Sequence, residues 1–203
     1  MIARVCAAPL LLAETKNQWA RDDPAFVAIL LVFLCVASLA FIVTFKAYGV
    51  GRVFRLFLGT VFVDFLAVGV LVASGCWFVC NRYLRIRQPS HHSVEQTVEL
   101  LYAFDVHCNA FFPLFLMLYV LQLYLLPLLL RPGFVASLVA DTLYASALSY
   151  YCYITFLGYN VLPFLDNTVI FLYPIVVIGC LYVLGILSGF NVSVFVMTRY
   201  FAV

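Results

Sequence analysis

Six side chains sit in apolar runs where lipid would be their solvent: Asp64, Asp105, His107, Asn109, Gln122 and Asp141. Ionisable and strongly polar groups are expensive at bilayer depth, so function is sought first among them. Asp105 and Asn109 are four residues apart and share a helix face, while His107 points away from both. His107 and Gln122 are fifteen residues apart, which at about 100° per residue leaves them within roughly 60° of each other. The helix that carries these four residues therefore presents polarity on two faces and is expected to lie among other helices.

Depth follows from the helical rise. At about 1.5 Å per residue, Asp64 falls roughly 12 Å into its helix, Asp141 roughly 10 Å and Gln122 roughly 12 Å, all from the same membrane face. Asp64, Gln122 and Asp141 thus form one layer. An unpaired carboxylate in hydrocarbon is costly, so Gln122 is expected to hydrogen-bond Asp64 or Asp141 across a helix interface. One reading of the layer is a polar pathway or ligand site. The other is interhelical bonding that fixes the bundle, worth about 0.6–2 kcal/mol per contact, and it is the reading carried forward. Asp105, His107 and Asn109 lie toward the opposite face, where metal ligation, a recognition surface and simple packing all compete. Alternate helical positions diverge, and no second carboxylate or histidine is placed to help, so neither a metal nor a cofactor is expected there.

The remaining motifs return little chemistry. Cys76 and Cys80 lie one helical turn apart, but neither a histidine nor a second cysteine pair accompanies them, so both are read as packing or lipid-facing residues. His91 and His92 stand in a polar stretch and are expected in water. Asn191-Val192-Ser193 is a formal glycosylation sequon, too close to the membrane to be used. The chain carries no phosphate-cradling glycine loop, nucleophile elbow or zincin helix.

These residues need helices to hold them, and the sequence supplies five apolar runs of spanning length. They cover 25–45, 56–80, 104–130, 134–157 and 169–190. The first opens after Asp22-Asp23-Pro24, acids and a proline suited to a helix start. Gly49 and Gly51 mark a tight turn between the first two runs. Arg82, Arg85, Arg87 and the polar residues to Glu99 form the hydrophilic loop between spans. Gly158 and Pro163 break the chain after the fourth run, and Tyr159 is expected at headgroup level. Residues 1–24 are expected as a short segment before the first span and 191–203 as a short tail after the last, on opposite sides of the membrane. Met1 to Glu14 is a poor signal peptide, because Pro9 interrupts its apolar stretch and no clean cleavage site follows.

Composition agrees. Of 203 residues, 67% are hydrophobic and 10% charged, with a mean hydropathy of +1.12. A soluble domain carries about 25% charged residues, so lipid must solvate much of this surface. The fold class is an all-α, polytopic transmembrane bundle of about five spans. A net charge of +2 does not suggest nucleic acid. Basic residues divide almost evenly between the two sides, so charge alone leaves the orientation open.

Three blocks resemble one family. They are Lys16-Asn17-Gln18-Trp19-Ala20-Arg21-Asp22-Asp23-Pro24-Ala25-Phe26, then Tyr102-Ala103-Phe104-Asp105-Val106-His107-Cys108-Asn109-Ala110-Phe111-Phe112-Pro113-Leu114, then Tyr150 to Tyr159 with Leu162-Pro163-Phe164-Leu165, continued by Asn167-Thr168-Val169-Ile170 with Leu172-Tyr173-Pro174. In this order they are similar to the uncoordinated-fifty (UNC-fifty) family. The resemblance implies a five-span protein of the Golgi membrane, with a second location at the inner nuclear envelope and a cytosolic N-terminus. It implies support of vesicle traffic, surface delivery of nicotinic-type receptors as clients, and partnership with exchange factors for Arf GTPases. RNA binding is also attributed to the family. Met1 to Thr15 resembles nothing in the family's longer basic, aromatic cytosolic segment, so RNA binding is left without most of the charges that would neutralise phosphates.

Three functions compete. A non-enzymatic trafficking factor is favoured by the resemblance. A transporter using Asp64, Gln122 and Asp141 would need paired repeats and matching broken helices, which the sequence lacks. An intramembrane enzyme would need a nucleophile and base, and none is credible. A water-filled cavity reaching the buried acids would favour transport, and a dry packed layer would favour scaffolding.

Overall fold

The computed structural model describes residues 25–86 and 96–201, and it is helical almost throughout. Among the described residues six helices follow in order: α1 (Ala25–Thr44), α2 (Val50–Leu84), α3 (Leu100–Leu129), α4 (Phe134–Asn160), α5 (Thr168–Ser188) and α6 (Val192–Phe201). Four of these, α1, α2, α3 and α5, are long and apolar enough to cross a membrane. At the fourth expected span stands α4, a helix of 27 residues that is more polar than these four. Its position explains why. It packs against α3, α5 and α6, so Ser137, Asp141 and Thr155 face protein and lipid need not tolerate them.

The helix limits depart from the apolar runs in places. The second span starts at Val50, with Gly51 already helical, so the turn belongs to Lys46 and Gly49, whose φ angles are 49° and 122°. Two helices widen locally. In α2 the stretch Leu58–Ala67, and in α3 the stretch Leu116–Leu121, adopt π-helical bonding. Such bonding adds a residue to the turn and shifts the facing of everything after it. In α3 the widening follows Pro113, which has no N–H to give to the preceding turn.

On one side of the bundle the two long connections are tied together. The Ile86 amide donates to the Phe164 carbonyl at 3.0 Å, and the Asp166 amide to the Leu84 carbonyl at 2.8 Å. Asn81 mimics a backbone strand, bonding both the amide and the carbonyl of Val98 at 2.9 Å. Under this junction lies a core of Cys80, Tyr102, Ala103, Tyr159 and Leu162. Tyr159 is 1% exposed and packs inside the protein. Phe171 stacks on its ring, and the Cys76 thiol lies beside its hydroxyl.

Residues 191–201 are not a free tail. Gly189, at φ 68°, closes α5, with the amides of Gly189 and Phe190 returning to Ile186 and Gly185. This is the Schellman pattern that glycine favours after a helix. Asn191 then caps α6 by accepting the Val194 amide at 3.0 Å. The chain turns back, and α6 crosses the base of the bundle. It begins beside Asp141 of α4, and it ends with Phe201 stacked on Phe45 and Phe41 of α1.

Candidate functional site

Above α6 the helices leave a cavity of about 480 Å³. Each wall has its own source. α2 supplies Thr60, Asp64, Val68 and Val72; α3 stands behind with His107, Phe111 and Gln122; α4 closes the far side with Tyr144, Leu148 and Tyr151. Val196 and Tyr200 of α6 are at the base. Because α3 packs against both α2 and α4 while those two share little contact, a gap remains between them. Val68 and Leu148 at that gap are 47% and 40% exposed, whereas Gln122 at the back is 1% exposed. The cavity thus opens sideways, toward lipid.

Asp64 is held by two phenols. The Tyr200 hydroxyl donates to both of its carboxylate oxygens at 2.8 Å, and Tyr119 donates to Oδ2 at 3.0 Å. A carboxylate in hydrocarbon needs such donors. The Tyr200 ring lies against Gly59 of α2, where a Cβ would sit 3.5 Å away, at ordinary van der Waals contact. Nearby, the Ser38 and Thr60 hydroxyls bond to each other at 2.8 Å, joining α1 to α2.

Gln122 does not reach either aspartate. Its amide nitrogen donates to Tyr144 at 3.1 Å and to Ser193 at 3.3 Å, and Tyr144 donates back to its oxygen at 3.2 Å. The expected bond to Asp64 or Asp141 is therefore replaced by a tie among α3, α4 and α6. Asp64 and Gln122 do line one cavity, as their shared depth implies, but Asp141 is not in its lining. It accepts the Val192 amide at 3.1 Å, placing a negative group at the start of α6, where helix dipole and free N–H groups favour it. Its other oxygen is buried without a partner beside Gly185, where a Cβ would come within 2.9 Å.

The three residues of the central block part company. His107 is buried at the top of the cavity, its Nδ1 2.7 Å from the Tyr151 hydroxyl. Its Nε2 lies toward the Phe65 carbonyl without forming a hydrogen bond, and against Gly69. Asn109 donates to the backbone carbonyl of Asp105 at 2.9 Å, on the face away from His107. Among the described residues no three His, Cys, Asp or Glu side chains converge as metal ligands would. His91 and His92 lie outside the described residues. Cys80 is fully buried and Cys76 packs beside it. The sequon asparagine gives its amide to the Leu129 carbonyl at 2.8 Å.

Sequence reasoning missed Tyr119, Tyr144, Tyr151 and Tyr200, whose hydroxyls bond Asp64, Gln122 and His107 in the cavity. It counted tyrosine with the apolar residues and put Ser193 and Tyr200 in a tail. Gly189 followed by Asn191 was the available signal, a helix stop followed by a helix start. The cavity reaches Asp64 and Gln122, as a transporter's would. Most of its wall is apolar, however, and the two acids do not share it.

A family model described as the UNC-50 family matches residues 7–201. A protein unc-50 homolog of Dictyostelium discoideum is 50% identical over 188 residues, covering 93% of this chain and 72% of its own. Protein unc-50 homologs of Mus musculus and Homo sapiens are 45% and 44% identical over 179 residues, covering 88% of this chain and 67% of theirs. No solved structure matches.

Proposed function

The chain belongs to the UNC-50 family, and from that premise we propose that it is a non-enzymatic Golgi membrane protein that supports delivery of client membrane proteins. The clients are receptors of the nicotinic type, and the route is recruitment of Arf exchange factors to the Golgi face. A second location at the inner nuclear envelope belongs to the same reading. Family membership carries it; neither the family nor these relatives are named for a catalytic activity.

The recruiting surface is the joined pair of connections. Residues 84–86, 96–99 and 161–167 are pinned to one another through Asn81, Ile86 and Asp166. A partner docking there meets a preorganised face and loses less ordering entropy. In this reading that face is cytosolic and α6 is lumenal. RNA is not proposed as a partner.

The test is capture from membranes. The tagged full chain, solubilised from Golgi vesicles, should enrich Arf exchange factors. Replacing Asn81 with Ala should lower that enrichment while the protein remains folded. Equal recovery of exchange factors with an unrelated five-span Golgi protein would sink the reading.

A further inference from the structure

The cavity has an amphiphile's polarity, and it is oriented as an amphiphile lies in a leaflet. Most of its polar groups gather toward α6, where Ser38, Thr60, Asp64, Tyr119 and Tyr200 come together and Gln122 is bonded to Tyr144. Its walls toward mid-membrane are mostly apolar, with Val68, Val72, Phe111, Leu114 and Leu148, and the polar pair there, His107 and Tyr151, is bonded to itself. Ligand sites are typically apolar pockets of about 300–1,000 Å³ with a few convergent polar groups, and this one holds about 480 Å³. Its mouth faces lipid, so whatever enters comes from the bilayer.

Charge narrows the class. Among the described residues the lining contains one carboxylate and neither lysine nor arginine. A phosphate headgroup would meet an anion with no counter-charge in a low dielectric, which is strongly unfavourable. An ammonium carries three donors and no acceptor, yet Asp64 already receives both phenols. A single hydroxyl donates once and accepts from two sides, like the serine, threonine and tyrosine hydroxyls already gathered there.

We propose that this cavity is a binding site for a membrane lipid alcohol, an uncharged amphiphile whose one free hydroxyl sits at Asp64 and Tyr200 while its apolar body lies between α2 and α4. A sterol and a diacylglycerol both have this chemistry. The site is independent of the trafficking role.

The test uses the full chain in phosphatidylcholine nanodiscs with four photoactivatable, alkyne-tagged probes: a sterol, a diacylglycerol, the matching phosphatidic acid and a long-chain amine. The sterol or the diacylglycerol should label residues of the cavity wall, and excess of its untagged form should compete. Which of the two labels identifies the source. Leu148→Trp places a bulky ring at the lipid-facing mouth and should reduce labelling about tenfold, a blocked-site effect large against ordinary surface changes. Leu181→Trp, on the exposed side of α5, should not change it. Asp64→Asn keeps the shape of the floor and should weaken labelling through loss of the charged acceptor, as judged in samples with unchanged thermal unfolding. Phosphatidic acid or amine labelling as strong as the alcohols would overturn the assignment. So would labelling by no probe, labelling spread over the lipid-facing helices, or labelling unmoved by Leu148→Trp.

Discussion

Tyr200 of α6 donates its hydroxyl to both carboxylate oxygens of Asp64 at 2.8 Å, across 136 residues of sequence. This contact fixes the far end of α6, while Asp141 fixes its beginning through the Val192 amide. Two acids that lipid would reject are each used to seat the same short helix. Replacing Tyr200 with Phe keeps the ring against Gly59 and removes the bond. Interhelical hydrogen bonds in membranes are worth about 0.6–2 kcal/mol, and the lost donor leaves the carboxylate to Tyr119 alone. Y200F should lower the thermal midpoint in nanodiscs and speed trypsin cleavage at Arg199. A variant with both properties unchanged would mean that α6 is held by its aromatic stacking alone.

Gln122 is the second anchor of that helix. Its amide joins Tyr144 of α4 to Ser193 of α6. Gln122→Leu has nearly the same volume and removes both ties, leaving the Tyr144 hydroxyl and Ser193 without this partner. The expected loss is about 1–2 kcal/mol. The connection face around Asn81 is remote from this bond, so capture of exchange factors should persist. Normal stability combined with lost receptor delivery would make the position a functional contact, and the structural account of it would be abandoned.

The helices were legible because bilayer thickness imposes a length that composition cannot hide. The fourth was found from its apolar residues although Asp141 and its hydroxyls lower its hydropathy, and those same residues mark it as the enclosed helix. The cavity was half legible. Counting rise put Asp64 and Gln122 at one level, and they do share a cavity. Counting rotation could not say what they face, since π-helical turns at Leu58–Ala67 and Leu116–Leu121 reset the phase within both helices. Their true partners are tyrosines, whose hydroxyls are invisible to a count of charged and amide residues. Asp141 pairs with a backbone amide, which no side-chain pattern reveals.

The hydrogen bonds between residues 84–86 and 164–166 require both long connections to lie on one side of the membrane. With the N-terminus in the cytosol, that side is cytosolic and α6 is lumenal. In sealed Golgi vesicles, trypsin should cut between Arg82 and Glu99, and a tag placed after Val203 should be protected until detergent is added. Digestion of the tag without detergent would reverse the orientation and move the recruiting face to the lumen.

Gly69 tests the packing above the cavity. A Cβ at this position would lie 2.5 Å from His107 Nε2 and 2.6 Å from Cδ2, closer than real atoms approach. The ring has little freedom to yield. It is packed among Phe65, Phe104 and Phe111, and its Nδ1 is tied to Tyr151 at 2.7 Å. Gly69→Ala must therefore push α2 away from α3 or turn His107 off Tyr151. Overpacking of this kind costs about 1–3 kcal/mol. At Gly75, later on the same helix, an added Cβ would meet no atom within 4 Å, so Gly75→Ala is the matched control and should leave stability unchanged or slightly raised. Thermal unfolding of the two variants beside the parent decides the matter. Because the displaced ring lines the top of the cavity, Gly69→Ala should also alter the cavity's shape, while Gly75→Ala should not. Equal midpoints for the two variants would show that α2 and α3 are less closely packed at His107 than these distances require.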